Sequence, residues 1–174
     1  LWSYTALCQG PDGTPWWQID MKPLNFRAPF WISWHYDVTG FLYWSSVYWR
    51  AYETMEGVWE RPAFRDRFWG EGMLLYPGQP AGIDGPVPSI RLKLIREALE
   101  DYQYMAMAAG CKRRGPVWDV TGREATDAGK PEKGHSQVDR IVGSVASSFQ
   151  DWSHNPRDYR NAREQLAEMI LDRQ

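Results

Sequence analysis

The nine residues Val38–Ser46, VTGFLYWSS, constrain this chain more than any other stretch. Side chains of a strand alternate between its faces, so Phe41 and Tyr43 point one way and Leu42 and Trp44 the other. Both sets are large and apolar. A strand of that kind needs cover on both faces, the usual environment of a parallel sheet flanked by crossover helices. The rings continue beyond the strand: five of the ten residues from Gly40 to Trp49 are aromatic. Either this segment is all core, or it ends at a surface that stacks on something flat.

The neighbouring segments fit a parallel α/β arrangement. Leu1–Leu7, LWSYTAL, alternates and is rich in aromatic residues and Thr, which predicts a strand. CQGPDGTP, residues 8–15, is loop by its Gly and Pro. From Asp20 to Tyr36, Leu24, Arg27, Trp31 and Trp34 recur at three- and four-residue steps and predict a helix. Pro23 suits its first turn, Asp20 is placed to cap it, and Pro29 should kink or interrupt it. Ser45–Trp69 reads as a long loop. A third strand is centred on Met73–Tyr76, followed by the loop QPAGIDGPVP.

Ser89 caps the clearest helix, with Ile90, Leu94, Ala98, Tyr102 and Met105 along one face and Gly110 as its stop. Gly115–Ser136 is polar and Gly-rich, hence loop. Val138–Trp152 and Pro156–Asp172 predict two more helices, with Pro156 in the first position of the second. Strands alternating with helices imply a parallel sheet with crossovers. Only three strands are evident in 174 residues, and a complete eight-stranded barrel takes about 250. If these strands belong to a barrel, they form roughly its last third.

Composition excludes several function classes. With 20 basic and 22 acidic residues, the chain carries no electrostatic footprint for nucleic acid or an acidic membrane. No apolar run is long enough for membrane insertion. Cys8 and Cys111 match no metal spacing; one disulfide and two free thiols both remain open. His35, His135 and His154 belong to no ligand cluster, so no metal and no cofactor is expected. The Gly-rich stretches are turns rather than phosphate loops, and no G-x-S-x-G motif supports a serine nucleophile. The outlier is tryptophan, at 11 residues. Core packing accounts for most of them.

Barrel geometry puts active-site groups at the C-terminal ends of strands. That rule selects Tyr4 and Thr5 on the first strand, Trp44, Ser45, Tyr48 and Trp49 after the second and Tyr76 after the third; Trp2 joins them as a sugar-binding candidate because it shares a strand face with Tyr4. Gly40, Leu42 and Trp44 share a face whose taper suits a barrel interior, with Trp44 flooring a pocket, while Phe41 and Tyr43 pack outward against helices. An aromatic ring offers a sugar apolar contact, and a Tyr hydroxyl or Trp N–H binds its hydroxyl groups. If all the rings are core instead, Trp44 and Tyr48 should be fully buried and no pocket should open at the strand ends.

Three segments together, RAPFWISWHYDVTGFLYWS, GEGMLLYPG and GPVPSIRLKLIREALEDYQYM, resemble the C-terminal part of the glycoside hydrolase family 123 catalytic domain, also described as domain of unknown function 4091. NPRDYRNAREQLAEMI is similar to that family's closing helices. The resemblance runs from Leu1 to about Gly110 and again from Val138. It implies an α/β fold made of the C-terminal portion of a TIM-type (β/α)8 barrel over residues 1–112, a polar loop at 113–136 and a helical hairpin at 137–174 packing on the same domain. It also implies hydrolysis of a β-linked N-acetylgalactosamine by substrate-assisted catalysis. The sugar's own acetamido oxygen attacks the anomeric carbon, an Asp orients the acetamido group, and an adjacent Glu protonates the leaving oxygen, outside the usual two-carboxylate scheme.

That Asp-Glu pair sits on an earlier strand in the family, and this sequence contains no Asp-Glu dipeptide. No catalytic residue is therefore assigned here. The partners implied are a glycan substrate and an upstream part of the same polypeptide that completes the barrel, in an extracellular or cell-envelope setting. The adjacent carboxylates Glu100 and Asp101 lie mid-helix and point about 100° apart, so they cannot serve one small ligand together and read as structural. In the segment where the family usually has Gly-Asp-Gly, Glu71 replaces the Asp. It either binds sugar, pins a loop, or pairs with Arg65 or Arg67. Beside the hydrolase stand two other readings, a non-catalytic carbohydrate binder and a purely structural fragment.

Overall fold

The structure is a computed structural model that describes residues 1–7, 13–50, 52–110 and 136–173. Its fold is mixed α/β, with several helices and few, short strands. Strand β1 (Trp2–Thr5) pairs in parallel with β2 (Gly40–Tyr43), Trp2 opposite Gly40 and Tyr4 opposite Leu42. Helix α1 (Ala28–His35) lies on the crossover between them. Parallel neighbours need such a crossover, since a tight turn can only join antiparallel strands.

The single helix expected from Asp20 is two pieces. A 3-10 turn covers Pro23–Phe26, and α1 starts after Arg27. Each piece has proline in its first turn, where the missing N–H costs nothing. Pro29 therefore opens a helix instead of kinking one. Asp20 caps neither piece, because Lys22 and Arg27 hold the N-cap positions. Helix α1 is buried almost all round, so it separates two layers. Trp31 and Ile32 join one core with residues of the later helices, and Phe30 joins another with Trp17, Leu74, Phe41 and Tyr43.

Ser45–Trp69 is more ordered than a loop. It contains α2 (Met55–Glu60), capped by Thr54 accepting from the Gly57 N–H at 3.1 Å, and a hairpin of β3 (Ala63–Phe64) and β4 (Phe68–Trp69). Two-residue strands are too short to show a period in sequence. The third expected strand also differs. Its ordered part is β5 (Leu75–Pro77), which pairs antiparallel with β6 (Pro86–Pro88) and does not extend the β1–β2 sheet. The segment read as the loop QPAGIDGPVP thus supplies β6.

Helix α3 (Ile90–Ala108) begins where expected, with Ser89 accepting from Leu92 N–H at 3.4 Å, and ends at Gly110. Its buried face is rotated from the expected one. Arg91, Ile95, Ala98, Asp101, Met105 and Ala108 face inward, while Ile90 is 70% exposed. Counting apolar residues alone missed the two charged side chains that anchor the helix. Helix α4 (Gln137–Val145) ends well before Trp152, and α5 (Pro156–Leu171) starts with Pro156 as expected. Helix α4 packs on α1, α5 packs on α3, and the two pack on each other. The polar loop assigned to 113–136, Cys8 and Cys111 lie outside the described residues, apart from Ser136 itself.

Asp101, fully buried on α3, ties three helices together. It accepts from Arg27 Nε and, at 2.8 Å, from Arg27 Nη2 at the start of α1. Trp31 Nε1 donates to it at 2.9 Å and Arg163 Nε of α5 at 2.5 Å. Glu100 beside it stays at the surface near Arg96, at 3.6 Å. The pair is structural, as its spacing implied, with Asp101 as a buried anchor.

Removing one partner of a buried ionic cluster strands the others. Asp101→Ala is expected to cost about 3–5 kcal/mol, read as a lower urea midpoint. Asp101→Asn, which keeps an acceptor for Trp31, should cost less.

Candidate functional site

Strand β2 ends at Tyr43, and the chain then delivers Trp44 against the loop Gly70–Gly72. The Trp44 indole Nε1 donates to Glu71 Oε1 at 2.6 Å. The Gly72 N–H donates to the Tyr43 hydroxyl at 2.7 Å, and the Tyr48 N–H donates to the Gly72 carbonyl at 2.9 Å. Glycine is required at 72. Its φ is +74°, and a Cβ there would sit 2.6 Å from Trp44 Cζ2 and 3.0 Å from Tyr48 Cβ. The bare backbone is what lets the indole come this close.

Three rings meet at this point. Trp44 lies 4.7 Å from Tyr48 and 5.6 Å from Phe64 between centroids, and Tyr48 lies 5.4 Å from Phe64. The Arg50 guanidinium sits over Tyr48 at 5.0 Å and that of Arg65 over Phe64 at 5.2 Å. Trp44 and Tyr48 remain partly exposed, contrary to a purely structural reading of these rings.

Beneath them is an unusual electrostatic arrangement. Glu71 is fully buried, and its Oε2 has no hydrogen-bond partner among the described residues. Burial pushes its carboxyl pKa above the ordinary range; the Trp44 N–H, the Gln18 amide, the Arg91 charge and the Tyr43 hydroxyl oppose that shift but do not cancel it. Tyr43 is pushed up too, first by burial and then by the negative charge of Glu71, so its hydroxyl stays protonated. Arg91, 3% exposed, does not hydrogen-bond to Glu71. It spends its donors on the carbonyls of Gly70 at 2.7 Å, Trp17 at 3.3 Å and Met73, and so holds the loop that carries Glu71.

Of the residues selected from sequence, the structure brings Trp44 and Tyr48 together. Trp2 and Tyr4 lie elsewhere, on the open face of the β1–β2 sheet with Leu42, exposed by 72%, 48% and 48%. The Trp2 ring covers Gly40. Among the described residues no ring contact joins Trp2 or Tyr4 to Trp44. Tyr76 is a correction. It is 8% exposed, packed under Trp59 at 4.8 Å, and its hydroxyl receives Arg91 Nη2 at 3.3 Å. It supports the site through Arg91 and does not line it, because α2 packs over β5.

Glu71 does not pair with Arg65 or Arg67, which ride over Phe64 and Phe68. Sequence reading also left out Phe64, Gln18 and Arg91. A carboxylate between two glycines was the available signal, since such a loop is built for close approach. Among the described residues no helix is long and apolar enough to cross a membrane, and no group of three His, Cys, Asp or Glu could hold a metal ion.

The family model described as glycoside hydrolase 123, catalytic domain, matches residues 2–108. That is more than half of the 174 residues and includes every side chain of the Trp44–Glu71 site. No match was found among curated proteins.

The raised pKa of Glu71 fixes the sign of a stability measurement. The folded chain holds its proton to higher pH than the unfolded chain does. Stability from this group is therefore full below the ordinary carboxylate pKa and declines as pH rises through the folded value. Glu71→Gln has no such decline. Its melting temperature relative to wild type should rise as pH increases from the ordinary carboxylate range through the raised pKa of Glu71.

Proposed function

The chain belongs to glycoside hydrolase family 123, and from that premise we propose that it forms the C-terminal part of a TIM-type barrel that cleaves β-linked N-acetylgalactosamine or a related N-acetylhexosamine. In this reading residues 1–112 belong to the barrel and 137–174 form a helical hairpin on the same domain. Its contribution is binding. The observation that carries the reading is a partly exposed indole, Trp44, held at the end of a parallel strand by a buried carboxyl group.

The proposed roles follow from the chemistry. Trp44 and Tyr48 offer a sugar ring an apolar wall, and the Tyr48 hydroxyl is available to a sugar hydroxyl. Trp2 and Tyr4 extend the aromatic surface on the sheet face that a barrel would turn inward. The acid that protonates the leaving oxygen, and the Asp that orients the acetamido group, come from an Asp-Glu pair upstream, because this sequence has none. The substrate's acetamido oxygen is then the nucleophile. Glu71 is not a candidate for the acid, since it is fully buried and bonded to Trp44.

The missing pair also supports a second reading, a carbohydrate binder without turnover. One set of assays separates them. The 174-residue chain should bind N-acetylgalactosamine and leave a chromogenic N-acetyl-β-galactosaminide intact. Joined to a barrel segment that carries Asp-Glu, it should hydrolyse that substrate but not the β-galactoside lacking the acetamido group. Binding without turnover in the joined protein would establish the second reading. Trp44→Ala should weaken sugar binding by about tenfold or more, equivalent to roughly 1.4 kcal/mol, measured by calorimetric titration.

A further inference from the structure

The loop Gly70–Gly72 concentrates more constraint than a connection needs. Glu71 is buried at its apex. Positive φ angles flank it, at Gly70 and Gly72. Arg91 holds the Gly70 carbonyl from behind, and the Tyr43 hydroxyl accepts from Gly72 N–H. All of this presents one carboxyl oxygen to one indole N–H at 2.6 Å. A carboxyl group in that place is costly. An apolar side chain would avoid the desolvation and the unpartnered Oε2. Packing alone does not account for it.

We propose that Glu71 is a positioning residue: its buried carboxyl fixes the orientation of the Trp44 indole and so the wall of a subsite for an N-acetylhexosamine ring. This rests on the sugar-binding reading of Trp44 given above. The indole is confined by contact with Gly72, Tyr48 and Phe64, and the Nε1–H bond fixes its remaining tilt. Stacking on a sugar depends on that tilt.

Sugar binding then depends on the charge of Glu71, because an ionised acceptor holds an N–H more strongly than a neutral carboxyl. The charged and titratable groups facing Glu71 are Arg91 from α3 and Tyr43 from β2, with the neutral amide of Gln18 between them. Tyr43 keeps its proton because burial raises its pKa. Glu71 is thus the group of this cluster that changes state on the acid side. Its burial shifts that change upward from the ordinary carboxylate range.

The test is an NMR titration of the 174-residue chain with N-acetylgalactosamine as the probe. The Trp44 indole N–H resonance is assigned by its loss in Trp44→Phe. In wild type it should move in one step that lies above the ordinary carboxylate range, and sugar affinity should rise across the same step. Glu71→Gln, which keeps a neutral acceptor, should lose the step and bind at every pH with the affinity wild type shows on the acid side of it. Glu71→Leu should weaken binding about three- to tenfold, the range one hydrogen bond supplies, with the other indole signals unmoved. A Trp44 signal that ignores pH, or wild-type affinity in a folded Glu71→Leu, overturns the proposal. The two readings fail differently. Sugar that moves the Trp44 signal without any pH step sinks only the role of Glu71. A pH step lost in Glu71→Gln, with no response to sugar, sinks the sugar wall itself.

Discussion

The fold hangs on one buried carboxylate. Asp101 is withdrawn from water on α3, and an ion there is tolerated only when its acceptor positions are filled. Arg27, Trp31 and Arg163 fill them. Each partner sits on a different piece of chain: the N-cap of α1, its first turns and α5. Satisfying Asp101 therefore fixes where α1 and α5 lie. The Tyr159 ring completes the arrangement, edge-on to Trp31 at 5.5 Å and under the Arg27 guanidinium at 5.3 Å. From there the constraint passes outward. Helix α1 presents Phe30 to Phe41 at 5.4 Å, and Trp17 fills the space beside Phe41 and Tyr43. That layer sets β2, and the end of β2 sets Trp44. The aromatic site is thus the far end of a stack that starts at Asp101.

The molecule contains a second buried carboxyl group, and the contrast is informative. Around Asp101 the acceptors and donors are matched, with two arginines and an indole for one carboxylate. Around Glu71 they are not. Arg91 is turned to backbone carbonyls, and one carboxyl oxygen is left without a partner. A well-compensated ion stabilises a unique packing, whereas an under-compensated one lies closer to changing its protonation state. The first arrangement belongs to architecture. The second is the kind found beside a surface that does something, and it lies directly beneath the partly exposed ring cluster.

Much of this was legible in the sequence, for reasons that differ by residue. The two-faced strand at Gly40–Tyr43 and the Ser89 cap were readable because period and capping are local signals. The division of Phe41 and Tyr43 from Leu42 followed from parity alone. What was missed depends on distant partners. The face of α3 is set by Arg91 and Asp101, which an apolar count treats as solvent-facing. The hairpin at Ala63–Trp69 has strands of two residues, below any detectable period. Tyr76 looked like a rim residue because β5 was assigned to the parallel sheet; pairing with β6 puts it under α2 instead. Glu71 looked like a surface charge beside two arginines, and only the tertiary approach of Trp44 and Tyr43 shows that it is buried.

The β1–β2 sheet carries the remaining argument about architecture. One of its faces is covered by the Trp17, Phe30, Phe41 and Tyr43 layer. The other presents Trp2, Tyr4 and Leu42 largely in the open. Parallel strands are ordinarily covered on both sides, and three large apolar side chains on one face are more than a solvated sheet needs. Under the proposed barrel this face turns toward the interior, and the small Gly40 beneath the Trp2 ring becomes intelligible as room for close packing there. Trp2, Tyr4 and Leu42 are then constrained by what lies across the barrel, as Phe41 and Tyr43 are by α1. The same parity that turns Phe41 and Tyr43 toward the core would then divide the layers of the domain.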